Sequence, residues 1–253
     1  NEIIGEVGEY REKGWGKAFG GDGYEVVRNA FIFADRYAPD AELYYNDFNV
    51  WRPAHLDGIV TMVKKLQDEG IRIDGVGIQA HWGLNYPKTE YIEHAIDTLH
   101  SLGLKVMITE LDVDVLPITR EGQVIGQSLT DPLYQHEEFE EYLDPYKEGL
   151  PAEIEQELAE RYAELFRIFH AKGDKIDRVT LWGLTDDSSW KNGYPVPGRT
   201  NYPLLWNRNY RTCLCKQRSS FICIRNQPVF GMARKHKAEN VFFRNNRRIL
   251  KCC

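Results

Sequence analysis

Cysteine is missing from the first 212 residues of this 253-residue chain. All five cysteines (213, 215, 223, 252 and 253) lie beyond that point, and all six tryptophans lie before it. Neither the Cys-x-Cys at 213–215 nor the terminal pair has zinc-finger spacing. No apolar run approaches the length of a membrane span, so no membrane partner is expected. No secretory signal opens the chain, and no internal repeat or low-complexity segment is evident. The first residue is Asn1 rather than methionine, so a processed product or a fragment is expected, in which the missing signal says nothing of the parent.

What is present suffices for one domain with a substantial core, at 42% hydrophobic and 12% aromatic residues. The net charge of −6 is unevenly spread. From residue 211 onward eleven Lys and Arg face one acid, Glu239, a net +10, which leaves −16 on the first 210 residues. A body of that charge repels phosphate, so the basic run at 234–237 is not read as a nucleic-acid site. Body and tail are two different kinds of sequence.

Along the body, residues 1–23 open as a Gly-rich polar loop carrying Trp15 and Phe19. Tyr24, Val27, Ala30, Phe31, Ala34 and Tyr37 follow helical spacing, with Pro39 just beyond. Residues 42–49 read as a strand ending in polar groups. Pro53 precedes a second helix with Leu56, Ile59, Val60, Val63 and Leu66 on one face and Gly70 as its stop. Residues 73–79 form the next strand and run into His81 and Trp82. Thr89 is read as the N-cap of a third helix, which Gly103 closes. Residues 103–113 then form an apolar, β-branched strand that stops on Glu110, with Asp112 two residues on. Residues 116–150 read as an acidic surface excursion. Pro151 suits the first helical position of a helix burying Ile154, Leu158, Tyr162, Leu165 and Phe169. Residues 178–185 are the fourth strand, leading to Asp186, Asp187 and Trp190. Alternating strands and helices are the signature of parallel βα units.

An acid at the end of a buried strand is costly unless its charge is used. In a β/α barrel that end is where catalytic groups sit. The four strands end in Asn46 and Asn49, in Gln79, His81 and Trp82, in Glu110 and Asp112, and in Trp182 and Trp190; Asn1 and Glu2 add an amide and a second carboxylate. Two carboxylates flanking a bond, with aromatic platforms and amide donors, suit sugar chemistry. One acid holds a proton for the leaving oxygen while the other, ionised, attacks the anomeric carbon. Taken singly, Glu110 reads rather as a salt-bridged strand-end acid and His81 as a satisfied core histidine. Asp186 and Asp187 lack the Gly-containing loop of a calcium site and are read as capping or turn groups. No metal and no cofactor are expected. Trp15, Trp51, Trp82 and Trp206 stay open between packing and binding.

The motif Gly103, Val106, Ile108, Thr109, Glu110, Leu111, Asp112, Val113 resembles the nucleophile signature of glycoside hydrolase family 10, the endo-β-1,4-xylanases. Asn1 and Glu2 resemble the end of that family's acid/base motif. Arg11, Trp15, Ala30, Phe31, Pro39, Asp40 and the run at 45–49 fit its continuation. Gln79 with His81, the 181–183 strand end and the 198–205 loop follow in the right order, so the resemblance covers residues 1–210.

The resemblance implies a (β/α)8 TIM barrel, here incomplete: strands five to eight plus the end of strand four. It implies retaining hydrolysis of xylan or xylo-oligosaccharides by a monomer, secreted or periplasmic in the intact parent. Glu110 would be the nucleophile and Glu2 the acid and then base, with carboxyls about 5–5.5 Å apart. Asn1 would bind the 2-hydroxyl of the cleaved sugar, and Gln79 would line the same subsite. His81, held by Asp112, would orient Glu110, while Trp182 and Trp190 would wall the sugar. Asn49 would line the leaving-group side, beside Phe48 where the family more usually has tyrosine. Half a barrel leaves strand edges and apolar interior uncovered, so the isolated chain is expected to be poorly folded or aggregating and to hydrolyse xylan feebly if at all. The family's last helix is not recognisable after Tyr210, and residues 211–253 are expected to be out-of-frame translation or disordered. The competing expectations are another β-1,4-glycanase such as a cellulase, and a non-catalytic carbohydrate-binding remnant.

Overall fold

Side-chain chemistry at the helix ends sets the element boundaries. Asp22 caps the helix at Gly23–Tyr37 (α2), its Oδ1 accepting the N–H groups of Tyr24 and Glu25 at 2.9 and 3.4 Å. Pro53 opens Pro53–Asp68 (α3), which buries Leu56, Ile59, Met62, Val63 and Leu66 and ends before Gly70, whose φ is +70°. The helix at Thr89–Ser101 (α4) begins one residue earlier than a capping Thr89 requires. Lys88 is its N-cap, without a side-chain bond, so Thr89 is already helical. Likewise Pro151 is the extended N-cap of Ala152–Ala171 (α5) rather than its first helical residue. The opening loop also contains a short helix, Gly14–Ala18 (α1), and an Ile4–Tyr10 bridge, neither of which its polar composition signals.

This computed structural model describes residues 1–11, 14–116, 144–194 and 198–211, with the backbone of 241–244. Most of the acidic excursion expected at 116–150 and every cysteine of the tail lie outside the described residues.

The strands are Tyr44–Asp47 (β1), Gly75–Ile78 (β2), His81–Gly83 (β3), Lys105–Asp114 (β4), Ile176–Leu181 (β5) and Val241–Arg244 (β6). They run β1-β2-β4-β5-β6 across the sheet, with β3 also on β4. All pairs are parallel except β5 with β6. The sheet among the described residues is partial and does not close, in keeping with an incomplete β/α barrel.

The strand carrying Glu110 does not stop there but continues to Asp114. Ala80, at φ +66°, kinks the chain between β2 and β3, so both can pair with β4 in turn. The register of β4 against β5 shifts between Ile108 and Leu111, an irregularity that spans Thr109 and Glu110. The core lies between the sheet and the helices. Trp82 belongs to it, fully buried with its ring 6.3 Å from that of Phe169.

The segment that carries Asn1 and Glu2 is held against β1 and α3. Glu2 N–H donates to the Asn46 carbonyl at 3.0 Å, and the Tyr45 hydroxyl accepts the N–H groups of Ile3 and Ile4 at 3.0 and 3.2 Å. Gly8 crosses α3 at Gly58 so closely that a Cβ on Gly58 would lie 2.5 Å from the Gly8 carbonyl oxygen. Gly58→Ala is therefore expected to push this segment off the helix at a cost of about 1–3 kcal/mol, seen as a lower urea midpoint. An unchanged midpoint would show that the crossing does not hold the segment.

Candidate active site

The end of β1, the residue after β2, the start of β3 and the second half of β4 meet the N-terminal residues in one hydrogen-bonded network. Asn46 sits at its centre: its Nδ2 donates to Glu110 Oε1 at 2.8 Å and to Asn1 Oδ1 at 3.0 Å, and its Oδ1 accepts Thr109 Oγ1–H at 2.7 Å. Glu2 Oε1 accepts from Gln79 Nε2 at 3.0 Å and from Asn1 Nδ2 at 3.3 Å. Glu2 itself has φ +55°, a left-handed backbone that a non-glycine residue seldom adopts and that marks a position the surroundings dictate.

On the other side of Glu110, His81 Nε2 lies 3.3 Å from Oε2, while His81 Nδ1 lies 3.0 Å from Asp112 Oδ1. Asp112 is fully buried, and its Oδ2 accepts the Trp190 indole N–H at 2.8 Å. The Trp190 ring stands edge-on to His81 at 5.1 Å and near Tyr194 at 4.9 Å; Trp182 stands 6.4 Å from His81. Trp182 and Trp190 keep 36% and 41% of their surface exposed, so both rings still offer faces to a ligand.

The sequence-derived site residues are thus brought together, with one exception. Asn49 donates its amide to Glu6 Oε1 at 2.9 Å, and Glu6 also pairs with Arg52; this cluster is separate from the Glu2–Glu110 network. Phe48 packs its ring under the Arg11 guanidinium, 4.6 Å from the centroid. Of the tryptophans left open, Trp15 is 73% exposed, whereas Trp51 and Trp206 pack against the core.

Asn46, named among the strand-end groups but given no role, joins the site together with Thr109 and Lys191, which were not singled out. Asn46 and Thr109 stood inside motifs already legible in the chain, and only their partners were missing. Lys191 had no such signal, since a lysine in a polar loop reads as a surface residue. It is nonetheless buried, 3.4 Å from Asp114 Oδ2 and 3.8 Å from Asp112 Oδ1.

Burial by itself would lower the His81 pKa, but its hydrogen bonds to Asp112 and Glu110 outweigh that and hold it above the usual value, against a downward pull from Lys191. Burial also opposes charge on Lys191, and Asp112 and Asp114 reverse this and push its pKa up. Asp186 is buried in the 3₁₀ turn Asp186–Ser188, with Oδ1 accepting the Leu204 N–H at 2.9 Å. Desolvation raises its pKa to about 7. Among the described residues no group of three or more His, Cys, Asp or Glu is placed to hold a metal ion, and no helix is long and apolar enough to cross a membrane.

Parallel βα units that gather Glu110, the His81–Asp112 pair and two tryptophans, with Glu2 on the segment beside them, have the layout of the functional end of a β/α barrel. The profile of glycosyl hydrolase family 10 matches residues 1–218, and the chain belongs to that family. The match reaches eight residues beyond the boundary at 210 drawn from composition. The chain is 43% identical over 213 residues to endo-1,4-beta-xylanase A of Xylanibacter ruminicola, covering 83% of this chain and 55% of that one. It is 35% identical over 215 residues to the endo-1,4-beta-xylanase of Geobacillus stearothermophilus, covering 83% and 57%. The solved structure of an endoxylanase of the same family, retrieved from a sugarcane soil metagenome, superposes with a TM-score of 0.73 at 36% identity, covering 85% and 58%. The chain thus spans a little over half the length of the curated relatives it matches.

A pH dependence follows from Asp186. Its folded pKa lies near 7, against about 3.8 for the free group, so the native state binds the extra proton between these values and stability falls as pH rises through them. Asp186→Asn keeps an acceptor for Leu204 and removes the titration. The variant is expected to gain about 2–4 kcal/mol on the parent between pH 4 and pH 8, since each tenfold change in proton affinity is worth about 1.4 kcal/mol. A constant difference across that range, measured by urea unfolding, would show that Asp186 is not buried as a neutral acid.

Proposed function

We propose that this chain carries the nucleophile and the acid/base of an endo-1,4-β-xylanase that hydrolyses xylan with retention of configuration. The observation that supports this most is the grip on Glu110. One oxygen accepts from Asn46 on β1, the other faces His81 at the start of β3, and His81 is fixed from behind by buried Asp112. A carboxylate held at both oxygens by groups from different strands is already oriented before a substrate arrives.

In the proposed reaction a Glu110 oxygen bonds to the anomeric carbon as the bond to the leaving oxygen breaks. Glu2 passes its proton to that oxygen. Glu2, now a carboxylate, takes a proton from water, whose oxygen displaces Glu110 and restores the starting configuration. Asn1 and Gln79, bonded to Glu2, place its carboxyl and face the sugar hydroxyls, while Trp182 and Trp190 supply apolar walls. A polymer too large to enter a cell must be cut outside it, so the intact protein is proposed to act in a secreted or periplasmic setting. Because the described sheet is open, the chain alone is expected to release reducing sugar from xylan only slowly.

The test therefore uses a single turnover. A 2-deoxy-2-fluoro-xylobioside with a good leaving group should add one glycosyl mass to the peptide containing Glu110, and Glu110→Gln should abolish it. Glu2→Ala should cost about 10²–10⁴-fold on substrates whose leaving oxygen needs a proton and little on activated aryl xylobiosides. Label on another residue, or labelling that survives Glu110→Gln, would sink the assignment. Faster turnover of cello- than xylo-oligosaccharides would shift it to another β-1,4-glycanase.

A further inference from the structure

Behind the residues given roles above lies a buried cation with no part in the reaction as written. Lys191 sits on the loop that follows the 3₁₀ turn, directly after Trp190. Only 5% of its surface is exposed, and its ammonium stands 4.8 Å over the Trp190 ring. It faces two carboxylates of β4, Asp114 at 3.4 Å and Asp112 at 3.8 Å, with the Tyr86 phenol also within its field. Asp114 has other partners: its Oδ1 accepts Asn201 Nδ2–H at 3.0 Å and the Leu116 N–H at 2.9 Å. Asp112 divides its oxygens between His81 on Oδ1 and Trp190 on Oδ2, and the Lys191 ammonium lies nearest Oδ1, the oxygen that His81 contacts.

Burying a lone ammonium is costly, so its presence requires the two carboxylates beside it. His81 stands at the other end of the same array. Glu110 and Asp112 on β4 attract a proton to its ring, Lys191 opposes a second positive charge there, and the rings of Trp182 and Trp190 close the remaining sides.

We propose that Lys191 is a positioning residue for the nucleophile. It fixes Asp112 as the anion that orients His81, and its charge weakens the hold of His81 on the proton shared with Glu110. The inference rests on the assignment of Glu110 as nucleophile. Once Glu110 is esterified it no longer carries the charge that stabilises a protonated His81. Lys191 then tips His81 toward its neutral form, its Nε2 proton passing to solvent water at the partly exposed ring, and a proton from solvent restores the Nε2 donor as the Glu110 carboxylate departs.

The test needs no turnover: it follows the His81 ring by NMR in the full chain labelled with ¹⁵N-histidine. Removing a neighbouring cation favours the charged form, so Lys191→Met should raise the His81 pKa by about one unit. Lys191→Gln, whose amide can still donate to Asp114, should do the same and serves if the methionine variant does not fold. Lys191→Arg, which keeps the charge, should return the pKa to that of the parent, a rescue that a purely space-filling role would not produce. In a second sample of the parent chain labelled with ¹⁵N-lysine, the Lys191 Nζ signal should remain that of an ammonium throughout the His81 titration. A His81 pKa that stays put or falls in the neutral variants, or a Lys191 that loses its charge in that range, would overturn the proposal. The outcome is separable from the trapping experiment, since label on Glu110 stands whether or not His81 moves.

Discussion

The site depends on how one buried carboxylate is neutralised. Asp112 is fully removed from water, which costs several kcal/mol for a carboxylate unless hydrogen bonds and opposite charge replace the lost solvation. Three groups from two parts of the chain do so: His81 at the start of β3, and the Trp190 indole and Lys191 ammonium from the loop after β5. Each is constrained by serving Asp112. His81 presents its other nitrogen to Glu110, and Trp190 is held edge-on beside His81. The placement of the Trp190 ring and that of the Glu110 carboxylate are therefore one arrangement, built around a buried carboxylate.

A second constraint operates at the other glutamate. Glu2 lies outside the named strands, so its position comes from the segment behind it. The buried Tyr45 hydroxyl takes two N–H groups of that segment and donates to Asp47, itself fully buried beside His55. Gly8 and Gly58 allow the segment to pass α3 at backbone contact. Asn46, between the two glutamates, ties this half of the site to the other through Asn1 and Glu110. The open sheet thus still assembles a coherent set of strand ends, because each contact joins neighbouring βα units or the segment beside them.

Much of the fold was legible because its determinants are local. Apolar spacing in α2, α3, α4 and α5, the glycine stop after α3 and the apolar run at β4 each report on their own few residues. The errors fall where a distant partner decides. Glu110 looked like the end of a strand because the hydrophobic run ends there. The strand goes on because β3, restarted by the Ala80 kink, supplies partners as far as Asp114. Thr89 and Pro151 were each misplaced by one position, since cap and first turn accept similar residues.

For the site, the sequence by itself determined which chemical groups were available: glutamates, a histidine, amides and indoles at strand ends, in an order that resembled one family. Only the tertiary structure decided which of them meet. It joined Asn46 to both Asn1 and Glu110, turned Asn49 instead toward Glu6, and buried Lys191 between two aspartates. The reason is physical: residue type and local spacing are written along the chain, whereas a hydrogen bond or a buried ion pair depends on groups that only the folded sheet brings within reach.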